Sequence, residues 1–263
     1  MMTVAVPPRN KLLASLPAED FRRLSPKLEA VPLKARRILH HAKLPIEHVY
    51  FVEDGLVSVV ANTDGDNHGV EAWLIGCEGM AGITVILGAE SSPHRRVVQA
   101  EGSALRLRTP DLLDAVNEMP ALRGILLRYV HGILVQASQS GACNARHSLP
   151  QRLARWLLMA QDRLNRSDLP LTHDILSKML GVRRASVTEA VHVLARADAI
   201  CAGERGHIHV LDRGKLEGLS CGCYFTIRAE FDRFTTPPEA VSSPKAAGER
   251  AEQPSAIGLE DVP

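Results

Sequence analysis

The chain has 263 residues, 31 Lys/Arg against 30 Asp/Glu, a net charge of +1 and 45% apolar residues. That length and apolar content predict about two domains, each with a core of its own. No apolar run reaches about 18 residues, which excludes a membrane-spanning helix. Residues 1–10 lack the basic-plus-apolar pattern of a secretory leader, so a cytoplasmic protein is expected, its five cysteines reduced.

Charge is distributed unevenly. Residues 1–145 hold 15 basic and 15 acidic side chains, residues 146–217 hold 12 against 8, and residues 229–263 hold 3 against 7. The basic excess falls on the segment that carries the motif described below.

In chain order, Leu12, Leu13, Leu16, Phe21, Leu24 and Leu28 space out as short helices. From Val31 to about Leu107 short β-rich runs alternate with turn residues. The runs are 48–52, 56–60, 70–75, 97–100 and 104–108, with Glu53-Asp54-Gly55 and the hairpin signal Asp64-Gly65 between them. Many short strands at close spacing predict a sandwich or barrel-like roll. Glycines 76, 79, 82 and 88 break its middle, either as tight corners or as a loop lining a ligand pocket.

From Asp111 to about Gly141 the period becomes helical. Leu122, Leu126, Tyr129 and Ile133 form a seam, widened by Ile125, Val130, Leu134 and Ala137. A helix apolar over most of its girth must bury two faces. One can cover the roll and the other can pair with its twin, and the Leu122, Leu126, Tyr129, Ile133 seam is the predicted dimer helix. A single core helix is the alternative. His147-Ser-Leu-Pro150 then reads as a helix start, and residues 165–168 end that helix.

The stretch from Leu171 to Leu194 is the most informative. Thr172 is a good N-cap, Ile175, Leu176, Met179 and Leu180 give one apolar face, and Gly181 follows as a helix-ending glycine should. Val187, Ala190, Val191 and Leu194 give a second helix its apolar face. Two short helices joined by a tight glycine turn are a helix-turn-helix. In such motifs the start of the second helix enters the major groove. Arg184, Ala185, Thr188 and Glu189 lie at or opposite the edge of the apolar face and are the predicted base-reading positions. Thr172, Arg183 and Ser186 suit phosphate oxygens near helix N-termini. Ile200, Ile208 and Val210 read as strand positions around a tip at Glu204-Arg-Gly-His207, a wing whose Arg205 would reach a phosphate. The last residues, 235–263, are poor in apolar side chains and read as a disordered tail.

On these residues, with Leu211-Asp-Arg213 and Cys221-Gly-Cys-Tyr224 after them, the sequence resembles the Crp/Fnr family of transcription regulators. The resemblance implies an α+β chain with a cyclic-nucleotide-binding-type β roll (12–115), a dimerisation helix (116–144) and a winged helix-turn-helix domain (145–224). It implies a homodimer on near-palindromic double-stranded DNA, with RNA polymerase a further candidate partner. The candidate effector pocket is Gly79, Gly82, Arg95 and Arg96. The family's cyclic-nucleotide pattern is Gly-Glu followed by Arg-Ser-Ala, whereas here Gly82 precedes Ile83 and the arginines precede Val97-Val98. Cyclic AMP is therefore not expected. An iron–sulfur cluster is not expected either, because no cysteine precedes Cys77. Cys221 and Cys223, with Cys201, His207 and His209 near in sequence, make a weak metal pattern, and no metal or other cofactor is expected. No catalytic motif occurs. The competing reading is a small-molecule or cyclic-nucleotide sensor whose main output is a protein partner.

Overall fold

The structure, a computed structural model, describes residues 7–62, 69–203 and 206–235. The Asp64-Gly65 turn, Arg205 and residues 236–263 of the expected tail lie outside the described residues.

Two short helices, α1 (Lys11–Ala14) and α2 (Ala18–Leu24), lead into an antiparallel roll. Its strands are β1 (Glu29–Leu33), β2 (Ile38–His40), β3 (His48–Ala61), β4 (Val70–Ile75), β5 (Met80–Ala81) and β6 (Arg95–Arg108). The order is β1-β6-β3-β4, with β2 also on β6 and β5 also on β3. The two 14-residue strands β3 and β6 form the spine. Each replaces two short strands expected from the sequence. Glu53-Asp54-Gly55 does not end a strand: the register shifts there while Asp54 pairs with Ser103 and Leu56 with Ala100. Gly55 has φ +96°, and a β-carbon on it would meet the Ala100 carbonyl oxygen at 2.7 Å. A glycine bulge thus bends the strand where a turn was expected.

The roll interior is filled by Leu33, Tyr50, Val52, Val57, Val59, Ile75, Ala81, Val98 and Ala104. Its other face joins a larger core shared with the helices. The chain continues into α3 (Thr109–Glu118) and the 27-residue α4 (Pro120–Arg146). The break between them is set by Pro120, which disfavours helical geometry at Met119, and Met119 is extended at φ −119° and ψ 92°. The single helical segment expected from 111 onward is therefore two helices.

The C-terminal part contains α5 (Leu149–Leu164), β7 (Asp168–Leu169), α6 (His173–Leu180), α7 (Arg184–Arg196), β8 (Ile200–Ala202), β9 (Ile208–Val210), α8 (Arg213–Leu219) and α9 (Cys223–Thr235). Three of these elements, β7, α8 and α9, were not expected. The two-residue β7 completes a small sheet of order β7-β9-β8. Helix α9 lies where the sequence reading ended the folded chain. It buries Tyr224, Ile227 and Phe231, spaced on one helical face, against α4 and α5.

The predicted dimer seam requires correction. Leu122 and Leu126 are fully buried, Tyr129 is 1% exposed and Ile133 is 7% exposed, all within this single chain. They pack in the core shared with the roll, and the Tyr129 ring also meets Phe231 of α9. The helix's outward face instead carries Leu127, 46% exposed, and Leu134, 63% exposed. Hydrophobicity alone marks both faces and does not say which one meets the roll.

Candidate nucleic-acid interface

Local sequence fixes the helix-turn-helix geometry. The Thr172 hydroxyl accepts the Ile175 N–H at 3.1 Å and caps α6. Gly181 ends α6 in the left-handed region at φ +65°, which favours glycine. Val187, Ala190, Val191 and Leu194 of α7 are at most 2% exposed and pack in the core. Their burial fixes the rotation of α7, so the opposite face is presented outward.

That outward face holds the predicted base-reading residues. Arg184, Ala185 and Glu189 are exposed and Thr188 is half-buried. Thr188 Oγ1 donates to the Arg184 carbonyl at 3.2 Å and lies 3.0 Å from His173 Nδ1. Burial lowers the His173 pKa, and the positive charge of Arg184 lowers it further. His173 thus stands behind Thr188 as a neutral prop at the start of α7, a role its sequence position in α6 did not suggest. Arg183 is the N-cap residue of α7 and makes no side-chain cap bond. It is exposed beside the half-buried Ser186. With Arg184 it sets two cations at the positive end of the α7 dipole, a suitable place for phosphate.

The wing starts close to this surface. Gly206 has φ +84°, and a β-carbon there would lie 2.5 Å from Thr172 Cγ2. His207 Nδ1 pairs with Asp168 Oδ2 at 2.9 Å, tying the wing to β7. Arg205, the predicted wing contact, is outside the described residues.

The helix-turn-helix rests against the roll. Trp156 Nε1 of α5 donates to Glu71 Oε1 at 2.8 Å, and Ser58 Oγ donates to Glu71 Oε2 at 2.5 Å. Burial raises the Glu71 pKa. Arg163 Nε of α5 meets Glu78 Oε1 at 2.8 Å, both side chains 6% exposed. Arg163 also donates to the Met159 carbonyl and to Gln136 Oε1 of α4, each at 3.1 Å, and its guanidinium lies over Phe231. Glu78 also accepts the Gly76 N–H. This junction ties the β4–β5 turn to α4, α5 and α9.

Of the candidate effector residues, Gly79 and Gly82 flank β5, and Arg95 and Arg96 open β6. Gly79 is covered by Tyr129: a β-carbon there would meet the phenol oxygen at 2.2 Å. Gly82, at φ +100°, faces Val49 and His40. Arg95 and Arg96 point to opposite faces of β6, as adjacent strand residues must. Arg95 lines a cleft of about 420 Å³ with Arg36, Lys178 and Met179. Arg96 is 1% exposed. It donates Nη1 to the His94 carbonyl at 2.7 Å, while its Nε and Nη2 have no hydrogen-bond partner among the described residues. Burial lowers its pKa to about 10.

Residues 151–219 match the family model of the Crp-like helix-turn-helix domain. No curated protein matches the chain. The fold is similar to FixK2 of Bradyrhizobium japonicum, with a TM-score of 0.64, 17% identity, 74% of this chain and 98% of that one covered. It is similar to the c-di-GMP responsive regulator CLP of Xanthomonas campestris, with a TM-score of 0.60, 13% identity and coverage of 74% and 99%. A Crp/Fnr-family transcriptional regulator of Thermus thermophilus aligns with a TM-score of 0.58, 25% identity and coverage of 73% and 98%.

Proposed function

The chain carries the Crp-like helix-turn-helix domain on the Crp/Fnr regulator fold, and we propose that it acts as a homodimeric, sequence-specific DNA-binding regulator. The observation that carries this reading is the orientation of α7. Its apolar face is buried, and Arg184, Ala185 and Glu189 stand outward beside Arg183, the second cation at the helix start. Arg184 offers a bidentate fork to guanine O6 and N7, worth about 1–3 kcal/mol of discrimination. Glu189 accepts from cytosine N4 or orients Arg184, and Ala185 permits close approach to a thymine methyl. Thr172, Arg183, Ser186 and Arg205 contact phosphates. The Thr172 hydroxyl accepts within the protein, and its proton remains available to a phosphate oxygen.

Dimerisation through the Leu127 and Leu134 face of α4 brings two α7 helices to successive major grooves about 34 Å apart. Those leucines are one heptad apart and remain exposed with α9 in place. The roll takes an effector other than cyclic AMP. The buried Arg96, with two N–H-bearing nitrogens lacking partners among the described residues, favours an anion. The effector shifts the population of domain arrangements by binding one arrangement more tightly, and the Trp156–Glu71 and Arg163–Glu78 contacts are those such a shift would break.

Selection from a random-sequence DNA pool, followed by footprinting, tests the reading. A near-palindromic site with half-sites one helical turn apart, bound by two chains, is the expected result. A pool that stays random, with binding no tighter than to bulk DNA at physiological salt, refutes it.

A further inference from the structure

Three cysteines and a histidine, far apart in sequence, converge at the junction between α4 and α5. Cys143 lies in the last turn of α4, and His147 is the residue that caps it. Four residues apart, they face the same way, and the His147 N–H bonds the Cys143 carbonyl at 3.0 Å. Cys221 and Cys223 flank Gly222 where α8 gives way to α9. Cys143 Sγ lies 3.4 Å from Cys221 Sγ, and Cys223 Sγ lies 3.5 Å from His147 Nδ1. All four donor atoms lie within 4.8 Å of one another. The three cysteines are at most 4% exposed and form a buried cluster of their own.

We propose that Cys143, His147, Cys221 and Cys223 form a closed Cys3His zinc site that fastens α9 to the joint between the long helix and the DNA-binding domain. The inference stands on these four residues alone and is independent of whether the chain binds DNA. Tetrahedral zinc, with bonds of about 2.3 Å to sulfur and about 2.0–2.1 Å to nitrogen, spaces its ligands about 3.8 Å apart for two sulfurs and about 3.5 Å for sulfur and nitrogen. The Cys143–Cys221 and Cys223–His147 separations, 3.4 and 3.5 Å, match to within a few tenths of an ångström, and the other donor atoms lie within 4.8 Å of one another. A disulfide would need sulfurs about 2.05 Å apart and would leave one thiol and the imidazole unused. A cluster of several irons would need its protein ligands more widely spread, because they are shared among two or more metal atoms. Three thiolates and one imidazole in a four-coordinate, water-poor site suit zinc.

The surroundings fit the charge. Three thiols release three protons as Zn²⁺ enters, giving a centre with one net negative charge. Gln139 Nε2 donates to Cys223 Sγ at 3.2 Å, a bond that steadies a thiolate. Beyond the site α9 is seated by Tyr224, Ile227 and Phe231 in the core and by Glu230 paired with His131 at 3.2 Å. A metal cross-link between the end of α4 and the start of α9 converts these into a fixed geometry.

The test uses the full chain, purified under reducing conditions from zinc-supplemented culture. Metal analysis is expected to find about one zinc per chain, and cobalt(II) replacement is expected to give the intense d–d and sulfur charge-transfer bands of a tetrahedral thiolate site. Cys143→Ser and Cys223→Ser should lose the metal, while Cys77→Ser and Cys201→Ser should keep it. The cobalt spectrum of the unmodified chain decides the matter even where a serine variant does not fold. A chain free of zinc after supplementation, a cobalt spectrum without charge-transfer bands, iron with inorganic sulfide in place of zinc, or a Cys143–Cys221 disulfide in protein kept reduced would each overturn the proposal.

Discussion

Arg163→Met removes the guanidinium from the junction of the roll, α4, α5 and α9. Both side chains of the Arg163–Glu78 pair are 6% exposed, so the substitution strands a carboxylate in a low-dielectric interior. Glu78 then keeps only the Gly76 N–H as a hydrogen-bond donor among the described residues. Breaking a buried pair from one side costs about 3–5 kcal/mol, and at about 2–4 °C per kcal/mol for a chain of this size the melting temperature should fall by roughly 6–20 °C. Glu78→Gln keeps the shape and one acceptor, and Arg163 keeps its bonds to Met159 and Gln136, so its cost should be smaller. The informative variant is the double one. Adding Glu78→Gln to Arg163→Met removes the stranded charge and should raise the melting temperature above that of Arg163→Met alone. Thermal and urea unfolding of all four proteins gives the coupling energy, expected to be at least about 2 kcal/mol. If the two single effects add to within about 0.5 kcal/mol, the pair is not acting as a buried ion pair.

Three further outcomes follow from the same structure. Burial raises the Glu71 pKa above its usual 4.5, so the folded chain binds an extra proton and wild-type stability falls as pH rises from 4.5 through the raised value; Glu71→Gln should flatten this part of the melting profile, and parallel profiles would contradict the assignment. Leu134→Glu places a charge in each half of the proposed Leu127–Leu134 dimer face; with each buried leucine worth about 1.5–3 kcal/mol, the dimer dissociation constant should rise roughly 10²–10⁴-fold in sedimentation equilibrium, whereas an unchanged association state would move the interface elsewhere. Chelation under reducing conditions should speed proteolytic cleavage near Gly222 several-fold by releasing α9, with zinc restoring protection; equal cleavage with and without chelator would remove the metal from that role.

The helix-turn-helix was legible in the sequence because its signals are local. Thr172 as cap and Gly181 as helix end each act within one turn of the chain, and the Val187-Val191-Leu194 stripe within about two. The roll was legible as a texture of short strands, but its long spine was not. Gly55 produces a bulge only because β6 lies opposite it, and nothing in Glu53-Asp54-Gly55 itself separates a bulge from a turn. The long helix was legible as doubly apolar, yet which face meets the roll depends on the rest of the fold. That choice buries Leu122, Leu126, Tyr129 and Ile133 and leaves Leu127 and Leu134 outward. Helix α9 was hidden by its charges, although Tyr224, Ile227 and Phe231 carried the helical spacing. The Cys-x-Cys pair was visible, but its partners were not the neighbouring Cys201, His207 and His209. They are Cys143 and His147, 74 or more positions upstream, and only the packing of α9 on α4 brings them there.

The central claim, that the outward face of α7 reads DNA sequence, is tested most directly by comparing Arg184→Ala with Arg183→Ala on the selected site and on single-base variants of it. Arg184→Ala should lose about 1–3 kcal/mol on the selected site and much less on sequences altered at the base it reads, so that discrimination at that position collapses. Arg183→Ala should weaken every sequence alike and lower the salt dependence of binding by about one counterion per half-site. Equal losses on all sequences from both substitutions, with discrimination intact, would contradict the reading of α7 as the recognition helix.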